Sequence, residues 1–303
     1  MAKIAAVVVT YNRKELLKEN IEALKVQISD EPLDIIIIDN ASSDGTRDFI
    51  EEYVSSGDVI YLNTGANLGG AGGFCYGMKW ACEHGYEFCW VMDDDCIPHR
   101  DALSSFVEYE AAHHGEYGFL SSRILWKDGS LCRMNVQRET MYRNVRSWDR
   151  DVIPVAMASF VSLWVPTARI YEEGLPIKEF FIWTDDWEFT RRLSRKYPCY
   201  VITDNVCTHK CASNTGADIS GVGEDRLGRF RYLYRNDVYL YRREGFKGFG
   251  YEAVRLTSHV LRVLTKSRNN RMKKIGIIIS STSEGLRFRP EIEYPSTDIK
   301  MEE

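Results

Sequence analysis

The sequence predicts an α/β protein built on a doubly wound, mostly parallel sheet and followed by a helical C-terminal extension. Short apolar runs alternate with helix-period segments through the first third of the chain. Four consecutive isoleucines, Ile35 to Ile38, mark a strand covered on both faces. Each of the early polar turns follows an apolar run, which puts it at the carboxyl end of a strand, where ligands bind in such sheets.

Taken in order, Lys3 to Thr10 reads as a buried strand, and Asn12 is placed to cap a helix from Arg13 to Val26 whose Leu16, Leu17, Ile21 and Leu24 recur at helical spacing. The second strand, Asp34 to Asp39, runs into the turn Asn40-Ala41-Ser42-Ser43-Asp44-Gly45. A helix near Thr46 to Val54, a strand at Val59 to Leu62, a helix at Ala71 to Glu83 and a strand at Phe88 to Met92 follow, the last ending in Asp93-Asp94-Asp95. After residue 115 the rhythm changes, with strands near Tyr117 to Ser121, Val155 to Val165 and Tyr200 to Thr203, and a helix over about Asp186 to Lys196. Asp225 to Thr265 reads as mostly helical and Lys266 to Lys274 is strongly basic. The expected division is a main domain over residues 1–245, with halves 1–115 and 116–245, and a basic helical extension over 246–303.

A chain of 303 residues with 44% apolar content can bury a substantial core. Its net charge of −5, from 39 basic and 44 acidic residues, argues against nucleic-acid binding as the main task. The apolar run Ile4 to Val9 is too short for a signal peptide, and no stretch approaches the ~20 apolar residues that span a bilayer. The expected location is cytoplasmic or peripheral on the inner face of the plasma membrane. The eight cysteines read as reduced, buried thiols. The sevenfold spacing of Cys75, Cys82, Cys89 and Cys96 reads as accidental, and Cys207 and Cys211 around His209 resemble a zinc fragment that lacks its second pair.

Three adjacent carboxylates after an apolar strand repel one another unless a cation or hydrogen-bond donors offset their charge. Hard divalent ions such as Mn²⁺ or Mg²⁺ prefer oxygen ligands. Side-chain alternation puts Asp93 and Asp95 on one side, toward a metal, and Asp94 on the other, toward ribose or sugar hydroxyls. A solvated acidic turn before Pro98 is the competing reading. The run Asn67-Leu68-Gly69-Gly70-Ala71-Gly72-Gly73-Phe74 lets a ligand approach the backbone, although a structural turn needs glycine too. In Phe181-Ile182-Trp183-Thr184-Asp185-Asp186-Trp187-Glu188 the carboxylates stand among aromatics, where desolvation raises a carboxylate's pKa toward that of a useful base. One of them is assigned to catalysis, against the alternative of ordinary first-turn helix acids. Trp164, Trp183 and Trp187 suit sugar rings and suit core packing equally. His209 is a candidate third metal ligand.

Together, Val9-Thr10-Tyr11-Asn12-Arg13, Asp39 to Gly45, the glycine run, Asp93-Asp94-Asp95, Asp185-Asp186-Trp187-Glu188 and His209 resemble family 2 inverting glycosyltransferases over roughly residues 1–245. The glycine run with the triple aspartate is most similar to galactofuranosyltransferases acting on lipid-linked cell-surface glycans, with rhamnosyltransferases next. The resemblance implies a GT-A fold in which Thr10, Arg13 and Asp39 hold the uridine end of a UDP-sugar. It places Asn67 and Gly72 along the diphosphate-sugar and gives Asp93, Asp95 and His209 to Mn²⁺ or Mg²⁺. It makes Asp186 the base, with Asp185 and Glu188 positioning donor or acceptor. Thr184 departs from the pattern, standing where related polymerising enzymes carry a tryptophan found here at Trp183. The large flanking domains of those polymerases are not in the sequence, so a single priming transfer is expected.

The expected reaction is a metal-assisted single displacement. UDP-galactofuranose is the first donor and dTDP-rhamnose the alternative, and the acceptor is a glycan or polyprenyl-linked glycan. Two other classes remain open: a nucleotidyltransferase, disfavoured because Thr10-Tyr11-Asn12-Arg13 has no glycine, and a non-catalytic carbohydrate-binding protein, which leaves the acidic triplet unexplained. The stripe Leu256, Val260, Val263 and Leu264, followed by Lys266, Arg268, Arg271, Lys273 and Lys274, fits an anionic membrane surface. It fits core packing or a homo-oligomer interface as well.

Overall fold

The computed structural model describes residues 3–297. The last six positions of the expected 246–303 extension, and residues 1 and 2, lie outside the described residues. The chain divides into two compact units: Met1–Lys178 with Asp186–Thr215 and Ile292–Glu303, and Glu179–Asp185 with Gly216–Glu291. These limits differ from the division at residue 245 expected from the sequence, since the second unit takes in Glu179–Asp185 and resumes at Gly216.

In the first unit the order is β1 (Ile4–Thr10), α1 (Lys14–Lys25), β2 (Leu33–Asp39), α2 (Thr46–Phe49), α3 (Glu51–Ser55), β3 (Val59–Asn63), α4 (Gly69–Glu83), β4 (Phe88–Asp93), β5 (Cys96–Pro98) and α5 (Ala102–His113). There follow β6 (Leu120–Trp126), β7 (Arg138–Thr140), β8 (Arg143–Asn144), β9 (Val152–Pro154), β10 (Leu163–Pro166), α6 (Thr167–Glu173), α7 (Asp185–Ser194) and β11 (Tyr200–His209). The main sheet runs β3-β2-β1-β4-β10-β6-β11-β5, and β9 pairs with β11. Its first four strands are parallel, whereas β10 lies antiparallel between β4 and β6, so the sheet is mixed.

Alternation along β1 and β2 explains why their sequences read as unbroken apolar runs. Ala5, Val7, Val9, Ile36 and Ile38 face α4 in one core layer, while Ile4, Ala6, Val8, Ile35 and Ile37 face Leu17, Ile21 and Leu24 of α1 in the other. Gly73 and Gly77 let α4 lie close to this sheet, because a Cβ on Gly77 would stand 2.5 Å from Val7 and 2.8 Å from Ile38. Much of the glycine run is therefore the first turn of a packed helix.

Several local expectations are corrected. Asn12 does not cap α1, since Arg13 is the N-cap and Asn12 sits at φ 56° with its side chain accepting from the Ser43 amide, 2.7 Å. The helix expected over Thr46 to Val54 breaks in two at Ile50. Of Val155 to Val165, only the stretch from Leu163 is in the ladder, because Ser162 turns the backbone to φ 62° just before it. Conversely, β11 extends to His209, past a register shift between Ile202 and Val206.

The second unit holds α8 (Phe230–Arg242), α9 (Gly245–Lys266) and α10 (Arg271–Arg287), packed around Ile219, Leu227, Phe230, Tyr234, Val263 and Ile278. Leu256 and Val260 pack against this cluster, while Leu264 is exposed. No helix of the described residues is long and apolar enough to cross a membrane.

Candidate functional site

Strand register builds the site. Thr10 pairs with Asp39, Asp39 with Asn63 and Val9 with Asp93, so four parallel strands end within one residue of one another and deliver their polar turns to one edge. The Thr10 hydroxyl donates to Asp94 Oδ2 at 2.7 Å, and Arg13 reaches Asp95 at 2.7 Å and Asp94 at 3.3 Å. Asp39 accepts from the Ser42 amide at 2.8 Å and from the Tyr61 hydroxyl at 2.5 Å. Asn67 accepts from the Gly69 amide at 2.9 Å, opening α4.

His209 reaches the carboxylates because β11 lies beside β5 with His209 opposite Cys96, one residue after Asp95. Its Nε2 is 3.0 Å from Asp95 Oδ1. The ligand atoms of Asp93, Asp95 and His209 lie within 4.8 Å of one another. Two carboxylates and an imidazole suit a Mn²⁺-like ion, so the residues present fit that group.

Electrostatics agree with this fit. Burial pushes the Asp93 carboxyl up to about 6, with Asp95 adding to the shift. Burial likewise pushes Asp94 up to about 7 against the pull of Arg13. Asp95 is also buried, yet its hydrogen bond and ion pair with His209 and the nearby Arg13 hold it below the ordinary carboxylate range. Burial opposes protonation of His209, but the hydrogen bond with Asp95 outweighs it and raises the ring to about 12. Asp93 and Asp94 are thus held above the ordinary carboxylate range mainly by burial, and a divalent cation at this edge would offset the charge they carry when ionised.

Two residues that the sequence did not single out set the histidine. Asn135 Oδ1 lies 2.8 Å from His209 Nδ1, while its amide nitrogen donates to Ser159 at 3.0 Å. An oxygen in that position accepts a hydrogen bond from Nδ1–H, so that once Nε2 gives up its own hydrogen its lone pair can face a metal. Cys132 Sγ is 3.8 Å from the same Nδ1. Neither residue carries a local motif, because long-range strand pairing brings them there.

The acceptor residues divide. Trp164 is closed to any ligand: it is fully buried, stacks on Phe88 and Phe106, and donates to the Tyr117 hydroxyl at 2.8 Å. Its expected acceptor role is therefore corrected to a core role. Glu188 is buried in an ion pair with Arg192 at 3.1 Å, and that guanidinium also holds the carbonyls of Gly174 and Leu175. Glu188 thus fixes the framework and is not free to position a substrate. Asp186 lies in the first turn of α7 and Asp185 is buried. Trp187 is half-buried under the Arg138 guanidinium, 3.8 Å from the ring centre.

Within the second unit, Phe181, Trp183 and Thr184 all adopt positive φ, a strained conformation for side chains of this size. Asn236 holds the turn by donating to the carbonyls of Phe180, Ile182 and Trp183, and the Thr184 hydroxyl donates to Asp237 at 2.6 Å. Trp183 packs edge-on against Phe230. Strain of this kind, held in place by a buried amide, is typical of chain that leads into a working site.

Residues 5–160 match the model of glycosyl transferase family 2. Galactofuranosyltransferase GlfT1 of Mycolicibacterium smegmatis is 27% identical over 263 residues, covering 80% of this chain and 84% of its own. GlfT1 of Mycobacterium tuberculosis is 27% identical over 259 residues, with the same coverage. Among solved structures, the mannosyltransferase PcManGT of Pyrobaculum calidifontis, in complex with GDP-Man and Mn²⁺, aligns with TM-score 0.55 at 16% identity over 94% of this chain and 75% of its own. TarS of S. aureus, residues 1–349 with UDP, aligns with TM-score 0.54 at 16% identity over 94% and 72%. The fold is that of the GT-A glycosyltransferases. With a family model covering more than half its length and a carboxylate edge where such a sheet binds ligands, the chain belongs to glycosyl transferase family 2 and is a nucleotide-sugar-dependent glycosyltransferase.

Proposed function

We propose that the protein transfers galactofuranose from UDP-galactofuranose, with inversion, to a hydroxyl of a lipid-linked cell-surface glycan. The grouping of Asp93, Asp95 and His209 beside Arg13 carries this reading, together with the long match to the two GlfT1 relatives. Those three side chains would hold a Mn²⁺ or Mg²⁺ ion, which would supply charge compensation for the departing diphosphate. Thr10, Arg13 and Asp39 bind the uridine end, Asn67 and Gly72 lie along the diphosphate-sugar, and Asp94 faces sugar or ribose hydroxyls. Asp186 takes the proton of the acceptor hydroxyl as that oxygen attacks the anomeric carbon from the face opposite UDP. Asp185, Trp183 and Trp187 position the acceptor.

A base of this kind contributes ~10²- to 10⁴-fold in rate. Asp186→Asn is expected to lose turnover on that scale while keeping donor affinity, and full activity in the variant would remove Asp186 from the role. Product analysis separates the other readings: release of UDP supports glycosyl transfer, pyrophosphate supports nucleotidyl transfer, and preference for dTDP-rhamnose replaces the donor. Binding of glycan without turnover of any nucleotide sugar would leave a carbohydrate-binding protein.

Exposed Phe246, Phe249, Val254 and Leu261 on α9, together with Lys266, Arg268, Arg271 and Lys273 after them, support peripheral contact with an anionic membrane. Flotation with anionic but not neutral liposomes is the expected result, and no flotation with either removes the proposal.

A further inference from the structure

His209 belongs to two groupings at once. Its Nε2 faces Asp95 and its Nδ1 faces the Cys132 thiol, and the sulfurs of Cys132 and Cys211 lie with a ring nitrogen of His209 within 4.8 Å of one another. Among the described residues, these are the two groupings of three or more such side chains with ligand atoms this close. The thiol grouping follows from the fold. His209 ends β11, and Cys211 follows two positions on. Cys132 is drawn in by its amide, which donates to the Ile124 carbonyl in β6 at 3.0 Å. Cys132 is fully buried, while Cys211 is partly exposed and leaves a way in from solvent.

The donor set differs in kind from that of the carboxylate edge. Two sulfurs and an imidazole nitrogen suit a thiophilic ion of the zinc class, whereas two carboxylates and an imidazole suit a harder one. Bond lengths of about 2.3 Å to sulfur and about 2.1 Å to nitrogen put the two donors of a tetrahedral site about 3.6 Å apart. Cys132 Sγ and His209 Nδ1 are already 3.8 Å apart. Asn135 Oδ1, 2.8 Å from Nδ1 and 3.1 Å from Cys132 Sγ, brings an oxygen to the same place.

We propose that Cys132, His209 and Cys211 form a second metal site, for a zinc-class divalent cation, and that its occupation withdraws His209 from the carboxylate edge. The site itself stands on the thiol geometry, and its consequence rests on the reading of Asp93, Asp95 and His209 as the donor-side metal ligands. One imidazole cannot serve both ions while it keeps a ring proton. When Nδ1–H donates a hydrogen bond to Asn135 and carries the ring's only hydrogen, the Nε2 lone pair is free for the hard ion. With a soft ion on Nδ1, the two thiols would give up their protons to solvent, and the single hydrogen of the neutral ring would sit on Nε2, where Asp95 accepts it. Bound zinc therefore weakens manganese binding through the ring that both sites share.

The test uses the full chain stripped of metal, with Cd²⁺ as a probe, because cadmium thiolates absorb in the ultraviolet. One equivalent of Cd²⁺ is expected to produce that absorption in the wild type and in Asp93→Asn, and little of it in the Cys132→Ser/Cys211→Ser double variant. Absorption that is absent from the wild type, or unchanged in the double variant, overturns the site. The double variant's melting curve and its own Mn²⁺ affinity show whether it has folded, and Cys211→Ala, at the partly exposed position, repeats the test with less disturbance of the core. Free Mn²⁺ measured by paramagnetic resonance reads the consequence. One equivalent of Zn²⁺ is expected to weaken Mn²⁺ binding at least tenfold in the wild type, and the double variant, in which Zn²⁺ acts only by competing for the carboxylate edge, gives the loss due to that direct competition alone. Equal Mn²⁺ affinity with and without Zn²⁺ in the wild type overturns the coupling. If the thiolate absorption behaves as expected but no variant binds Mn²⁺, the thiol site stands and the donor-metal reading falls.

Discussion

Replacing Asp94 with asparagine removes one buried charge while keeping the side chain's shape and its bond from Thr10. In the folded protein the Asp94 carboxyl is raised from 3.8 to about 7, mainly by burial. The unfolded chain therefore gives up this proton first as pH rises. The stability contributed by the protonated carboxyl is complete below about pH 4 and is lost as pH climbs to about 7. At 1.36 kcal/mol for each pKa unit, the ionised carboxylate costs the metal-free protein about 4 kcal/mol at pH 8 and between 1 and 2 kcal/mol, roughly, at pH 5. Asp94→Asn is thus expected to be more stable than the wild type, by a margin that grows by about 2 to 3 kcal/mol between pH 5 and 8. At roughly 2 to 4 °C per kcal/mol for a chain of this size, that is a widening of about 5 to 10 °C in Tm. Differential scanning fluorimetry in chelator across this pH range measures it. A gap that stays constant with pH, or a variant less stable than the wild type at pH 8, would refute the reasoning.

Two other substitutions test the framework around the site. Glu188→Ala leaves Arg192 buried without its carboxylate, which costs about 3 kcal/mol in urea denaturation, the lower end for a broken buried pair because the Gly174 and Leu175 carbonyls remain. Unchanged stability with lost turnover would return Glu188 to the chemistry. Gly77→Ala drives a methyl group into Val7 and Ile38, an overpacking that costs about 1 to 3 kcal/mol and is partly offset by about 1 kcal/mol of helix propensity. A lower Tm is expected, and a higher one would show that α4 has room to move away from the sheet.

The strands β1, β2 and β4 were legible because burial on both faces leaves an unbroken apolar run, and the turns after them were legible because a strand's carboxyl end is where polar residues can gather. Other features depend on pairings between distant segments. Trp164 and Trp187 look alike in sequence. What separates them is that Trp164 lies opposite Trp90 in the β4 and β10 ladder, on the face that holds Phe106, while Trp187 stands on α7 beside Arg138. Tyr61, Asn135 and Asn236 are ordinary polar residues in their local sequence, and only the fold brings them to Asp39, His209 and the strained turn at Phe181 to Thr184. The glycine run was legible as a close approach, but the partner at Gly73 and Gly77 is the sheet itself. Cys132 escaped notice as a neighbour of His209 because the two are 77 positions apart, whereas Cys207 and Cys211 flank the histidine in sequence.

The most direct test of the central claim is calorimetric titration of UDP into the metal-free protein with Mn²⁺ and with chelator, for the wild type and for Asp95→Asn. The expected result is one UDP per chain with Mn²⁺, at least tenfold weaker binding in chelator, and the same weakening in Asp95→Asn when Mn²⁺ is present. UDP binding of equal strength in chelator, or untouched in Asp95→Asn, would contradict a cation held by Asp93, Asp95 and His209 at the end of β4.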